Sequence, residues 1–132
     1  MKFSYKAKES RIIGSILLKP FIEIEIFSKN ELWYGLDEVL VDTGADITLI
    51  PKYIGEEVVN EIKSGEKAFL KGISPIELAV YIHRLKLKVA NREFETKVAI
   101  AESDEVPAIL GRFEALDNFN AEFSKGKELS LE

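Results

Sequence analysis

Val41-Asp42-Thr43-Gly44-Ala45-Asp46-Ile47-Thr48 decides how the rest of this chain is read. The residues leading into it, Asp37-Glu38-Val39-Leu40-Val41, become apolar on both sides as they near Asp42. That is the pattern of a strand buried on both faces. Ending such a strand in a polar tripeptide delivers a carboxylate, Asp42, to a tight turn. Thr43 can hydrogen-bond backbone there, and Gly44 lets main chain or a ligand approach closely.

Working outward, most of the chain alternates with period two. Ile22, Ile24 and Ile26 oppose Glu23 and Glu25, which gives a strand with one apolar and one wet face. Ser28-Lys29-Asn30-Glu31 is a polar connection. Lys67–Leu70 and Ile76–Tyr81 read as two arms of a hairpin around Lys71-Gly72-Ile73-Ser74-Pro75. Leu85, Leu87 and Val89 answer Phe94–Ile100 across Ala90-Asn91-Arg92-Glu93.

Pro51 suits the first turn of a helix, and Ile54, Val58 and Ile62 recur at helical spacing, so a helix is expected over about 52–63. A second short helix is expected over 112–118, after the apolar strand Pro107–Gly111. A hairpin over 120–131 closes the chain, and Glu102–Glu105 reads as a solvated acidic turn. The expectation is a single, mostly β domain over 1–132, with a closed, barrel-like sheet, two short helices and a core over about 19–118.

The chain has 132 residues, 46% apolar and 31% charged, a composition that folds around a core of ordinary size. Its net charge of −5 and interspersed lysines and glutamates argue against nucleic-acid binding, which needs clustered cations. Without cysteine there is no disulfide, thiolate nucleophile or cysteine metal site. The apolar run Ile12–Leu18 is interrupted by Gly14 and Ser15 and lacks a cleavage pattern, so it is not read as a signal peptide. It also falls short of the roughly 20 residues needed to span a membrane. A cytoplasmic chain is expected.

Asp42 and Asp46 lack the alternating acids and later glutamate of a calcium loop. Gly44 stands where a phosphoaspartyl hydrolase would have a second Asp. The one histidine, His83, lies in a strand-like stretch and does not build a serine triad; it reads as a surface residue. One carboxylate alone is a poor hydrolytic machine. Two that face each other at about 3 Å cannot both ionise, so they share a proton, one serving as base toward water and the other as acid.

Val41–Asp46, with Thr48 close behind, resembles the hydrophobic-Asp-Thr-Gly-Ala-Asp signature of retroviral-type (retropepsin-like) aspartic proteases. Further along, Ile109-Leu110-Gly111-Arg112 is similar to that family's hydrophobic-hydrophobic-Gly-Arg element. Lys71-Gly72-Ile73 lies where the family has its flap tip, and Lys19-Pro20-Phe21 where it has a basic residue, Pro and the first core strand. The resemblance spans about 19–118. It implies the acid-protease fold with one lobe per chain, a homodimer, a peptide or protein substrate, and no cofactor or metal. Asp42 would be catalytic. Thr43, Gly44 and Arg112 would support the site, and Gly44, Ala45, Asp46, Gly72 and Ile73 would bind substrate. Asp46 would pair with Arg112 of its own subunit and with Lys19 of the partner.

Ser74-Pro75 departs from the Gly-rich flaps of the viral enzymes, and the residues before Arg11 and after Asn118 are additions. A dimeric peptide-binding module that keeps the fold without the catalysis is therefore the alternative.

Overall fold

In the computed structural model, which describes residues 1–72 and 75–132, alternation of apolar and polar residues is realised as strand along most of the chain. The N-terminal half contains β1 (Lys2–Ser4), β2 (Lys6–Ser10), β3 (Ser15–Lys19), β4 (Phe21–Phe27), β5 (Trp33–Val41) and β6 (Thr48–Ile50). The helix α1 (Lys52–Val58) follows. Then come β7 (Glu66–Lys71), β8 (Glu77–Val89), β9 (Arg92–Ala101), β10 (Ile109–Leu110), β11 (Ala121–Ser124) and β12 (Glu128–Leu131).

β4 shows how pattern becomes structure. Ile22, Ile24 and Ile26 are buried and Glu23 is exposed, so one face of the strand enters the core. The hydrogen-bonded order β4-β5-β10-β6-β9-β8 is closed by pairing of β4 with β8, through Glu25↔Lys88 and Ile26↔Leu87. Closure leaves no free edge among those six strands, while β7 adds to the outside of β8. The expected mostly β, closed barrel is therefore the observed one.

β8 is a single strand where the sequence suggests two. Its ladder with β9 runs unbroken from Val80↔Ala101 to Val89↔Arg92, so both halves share one partner. The turn between them is Ala90-Asn91, with φ of 49° and 65°, the geometry that matches the twist of a two-residue hairpin.

The helices are shorter than expected. α1 stops at Val58 because Val59 takes an extended backbone, and Ile62–Ser64 forms a separate 3₁₀ turn. Ile54 and Val58 are buried and Ile62 packs against the same core, so the apolar stripe survives the break. The acidic turn is more than a solvated connection, since Asp104 Oδ1 accepts from Tyr53 N at 2.9 Å and satisfies a first-turn N–H of α1. Residues 112–118 hold only a 3₁₀ turn, Leu116–Asn118, because Glu114 adopts φ +53°, which interrupts any regular helix. His83 is half-buried, its Nε2 2.7 Å from Ile62 O, rather than a free surface residue.

The C-terminal hairpin forms as β11 and β12, and β1 joins it through Phe3↔Leu129 to make a three-stranded sheet. Leu129 and Leu131 are buried in the main core, so both chain ends belong to the body of the fold. β2 and β3 form a separate two-stranded hairpin. Among the described residues, no helix is long and apolar enough to cross a membrane.

β10 lies between β5, which it meets in parallel through Ile109↔Leu40, and β6, which it meets antiparallel through Ile109↔Leu49. Just beyond it, a Cβ on Gly111 would run into the Ile47 carbonyl and lie 2.8 Å from Thr48 N. The obstruction is backbone on a neighbouring element, which cannot swing aside. Gly111→Ala should therefore cost about 1–3 kcal/mol, the range for overpacking. Urea unfolding checks this, and an unchanged midpoint would contradict the close approach. Leu131→Ala should cost about 2–5 kcal/mol by opening a cavity beneath the terminal sheet.

Candidate active site

β5 ends at Val41, and Asp42 stays tied to the sheet by donating its N–H to Leu110 O at 3.1 Å. Its own carbonyl accepts from Ala45 N at 3.2 Å, and its Oδ1 accepts from Gly44 N at 2.8 Å. The side chain thus closes its own turn in the manner of an Asx turn. One carboxylate oxygen is anchored, and Oδ2 has no protein donor among the described residues. Asp42 is half-buried, with Thr43 and Gly44 exposed beside it. The backbone hydrogen bond expected of the Thr43 hydroxyl is not formed among the described residues, where the Asp42 carboxylate takes the Gly44 N–H.

A second loop, 111–118, is strapped to this one. Arg112 N donates to Ala45 O and Phe113 N to Asp46 O, both at 2.9 Å. Gly111 N donates to Thr48 Oγ1 at 3.1 Å, and Thr48 is fully buried. The Arg112 guanidinium turns to Asp117, with Nε to Oδ1 at 3.1 Å and Nη2 to Oδ2 at 3.4 Å. That hydrogen bonding and the Asp117 charge raise the Arg112 pKa above its ordinary value, and Asp46 adds a smaller electrostatic share.

The expected Asp46–Arg112 ion pair within the subunit is therefore not formed. The positive φ at Glu114 turns the chain so that Asp117 comes back beside Arg112. The second loop is held to the first by backbone hydrogen bonds and by the buried Thr48 hydroxyl. Asp46 is exposed and makes no ion pair among the described residues. Lys19 likewise has no acidic partner there, although it sits beside the Asp42 strand: Pro20 O accepts from Val41 N at 3.0 Å.

Sequence reading missed the residues that hold the second loop. Thr96 Oγ1, fully buried, donates to Phe113 O at 3.0 Å. Arg84 grips Glu114 with two hydrogen bonds of 3.0 Å. The available signal was a threonine at the inward position of an apolar strand, which applies to both Thr48 and Thr96.

The β7–β8 hairpin faces the Asp42 turn across a cleft of about 510 Å³. Gly44, Ala45 and Asp46 line one side, with Ile47, Leu49 and Ile109 beside them. Leu70, Gly72 and Leu78 line the other. The structure thus brings Gly44, Ala45, Asp46 and Gly72 around one space, next to Asp42. Ile73 lies outside the described residues. Asp42 thus presents a carboxylate held on one oxygen and open on the other, beside an apolar cleft.

No protein-family model matches the chain, and no curated protein does. Among solved structures, the protease of EIAV in complex with the inhibitor HBY-793 is 26% identical, with a TM-score of 0.45 over 71% of this chain and 82% of that one. A retropepsin-like aspartic protease from Rickettsia conorii is 17% identical, with a TM-score of 0.62 over 98% of this chain and 89% of that one. The second likeness covers the barrel and the terminal strands together, and it establishes architecture. The chain has the fold of retropepsin-like aspartic proteases.

Proposed function

We propose that two copies of this chain form an aspartic endopeptidase, with a water molecule held between Asp42 and its symmetry mate. The observation that carries this reading is the Asp42 turn. It presents a carboxylate with one oxygen fixed by Gly44 N–H and the other open, at the edge of a cleft overhung by a hairpin.

In the pair, one carboxyl is protonated and the other is not. The ionised one takes a proton from water as the water oxygen bonds to the peptide carbonyl carbon, and the protonated one gives its proton to the carbonyl oxygen. The resulting gem-diol collapses as the amide nitrogen is protonated and the C–N bond breaks. No covalent enzyme intermediate is needed.

The remaining roles are those that the resemblance implies. Thr43, exposed beside Asp42, would join the two active-site turns across the dimer through its hydroxyl. Gly44 and Ala45 would hold the substrate backbone, and Asp46 would accept its amides. The β7–β8 hairpin, with Gly72 and Ile73, would act as the flap that excludes water. Arg112 would support the site through its backbone bond to Ala45 and its clasp on Asp117. Asp46 and the partner's Lys19 would supply the opposite charges that each lacks among the described residues of one chain.

Asp42→Asn keeps shape and hydrogen-bonding size but removes the base, so it should fold and dimerise while cleaving nothing. A digest of denatured protein from acidic to neutral pH checks this. Wild-type activity should fall at low pH, where both carboxyls are protonated, and again at high pH, where the shared proton is lost. Cleavage by Asp42→Asn at the wild-type rate would move the chemistry elsewhere. Peptide binding by the wild type without cleavage would favour the inactive module.

Lys19→Glu should weaken the dimer by more than the roughly 0–1 kcal/mol of an ordinary surface pair. Adding Asp46→Lys should restore part of the loss. Sedimentation equilibrium reads both, and a Lys19→Glu dimer as tight as wild type would remove this pair from the interface.

A further inference from the structure

Leu36, Val39 and Val41 are all buried in one core, although strict alternation would set Leu36 on the opposite face from the two valines. The register of β5 explains this. Ile22 pairs with Val39 and Ile24 with Leu36, so Asp37 and Glu38 together stand opposite the single residue Glu23. One extra residue in one strand is a β-bulge. Beyond it, Val39 and Val41 take the inward face, and Leu40 and then Asp42 follow the other. Without the extra residue, an inward Leu36 would carry Leu40 and Asp42 inward too, because a slip of one residue turns every side chain over. The bulge thus decides that the carboxylate leaves β5 on the side away from the core.

Asp37 and Glu38 have no partner in the pairing of β5 with β4 or with β10. What meets them comes from β2. Lys6 Nζ donates to Asp37 O at 2.7 Å, and Lys8 Nζ meets Glu38 Oε2 at 2.6 Å. The two lysines lie two apart on one strand and therefore on one face, and each takes one of the two bulge residues. Lys8 Nζ also lies 5.1 Å from the centre of the ring of Phe21, the residue paired with Leu40. Its hydrogen bond holds the Glu38 carboxyl below the usual carboxylate range. The other end of the hairpin reaches the same stretch of β5. β3 ends at Lys19, and Pro20 O accepts from Val41 N at 3.0 Å.

We infer that the β2–β3 hairpin is an intramolecular clamp on this bulge, and that Lys6 and Lys8 are positioning residues for Asp42, which rests on the catalytic role proposed for that residue. The hairpin grips β5 at both ends of residues 37–41, through side chains at the bulge and through the main chain just before Asp42. Burial of Val39 and Val41 favours the bulged register, and the two ammonium groups bind what that register leaves over. Hydrogen bonds from a charged donor are among the stronger ones. β10 fixes where the Asp42 turn sits, and the clamp fixes the face from which Asp42 emerges.

The test is Lys6→Met combined with Lys8→Met, which keeps the aliphatic stems and removes both ammonium groups. Peptidase kcat should fall by roughly ten- to a hundredfold, the scale on which a misplacement of about 1 Å acts, while KM changes little. Lys8→Glu should also lower kcat, and adding Glu38→Lys should restore most of it. Lys6→Arg, which keeps a donor, should retain activity. Independently of activity, amide hydrogen exchange at Val41 and Asp42 should quicken in the double-Met variant, while exchange at Ile100 in β9 keeps its wild-type rate. Lys2→Met, at an exposed ion pair with Glu128 in the terminal sheet, should change none of these readings.

Wild-type kcat together with wild-type exchange at Val41 and Asp42 in the double-Met variant would overturn the clamp. Exchange raised equally at Ile100 would overturn it as well, since the lysines would then stabilise the fold without aiming Asp42. If the double-Met variant does not fold, Glu38→Gln, which keeps shape and removes one charge, is read in the same way. A wild-type dimer that cleaves nothing overturns the proposed function, and the exchange measurement still decides on the clamp.

Discussion

A two-residue strand, β10, wedged between β5 and β6 is the constraint on which the rest of the structure depends. It brings Leu110 O under the Asp42 N–H and sets Gly111 so close to Ile47 that no side chain fits between them. The residue flanking each strand then has a neighbour across the gap: Asp42 just after β5, Gly111 just after β10, Ile47 just before β6. Burial of the Thr48 hydroxyl would be costly if it were unpaired. Accepting the Gly111 N–H satisfies both groups at once. The Asp42 turn is therefore positioned by main chain that has nowhere else to go, and polar side chains serve mainly to brace the loop opposite.

Much of this was legible because period two is a local signal. Ile22, Ile24 and Ile26 alternate with glutamates within one strand, and the pattern needs no knowledge of what lies across the sheet. The pairing of β1 with β12 was not legible, because Lys2↔Ser130 joins opposite ends of the chain and neither short strand announces its partner. The helices were overextended for a related reason. The spacing of Ile54, Val58 and Ile62 is correct for a face, but it is blind to the extended backbone at Val59 that breaks the hydrogen-bond ladder.

Within the site, the Asp-Thr-Gly turn could be read because it combines a strand, a carboxylate and a residue without Cβ in three positions. The partner of Arg112 could not be read. Choosing Asp117 over Asp46 turns on a positive φ at Glu114, a backbone state that is uncommon for that residue type and is held here by Arg84. Ile12–Leu18, read in the sequence only as neither a signal peptide nor a membrane span, shows a limit of another kind. An apolar run normally predicts burial, and here Ile12, Ile13, Ile16, Leu17 and Leu18 stand in solvent. Hydrophobicity is a prior for burial, and the place of a strand in the topology decides whether that prior is met.

Completion of the site by a second chain bears on how a single-lobed aspartic peptidase would be controlled. A proton shared between two carboxyls is a property of the pair and has no counterpart in one chain. On the proposed reading, association and the assembly of the catalyst are then the same event. Any group that sets the dissociation constant also sets the fraction of chains that can turn over, without touching substrate. The acid–base unit would be built from Asp42, whose place is fixed by β10 inside one barrel. Association, on the same reading, would draw on Lys19 at the end of β3 and on Asp46 in the Asp42 turn, and because Asp46 also lines the cleft the two units would share a residue. Changes at Gly111 or Thr48 would act on fold and site together.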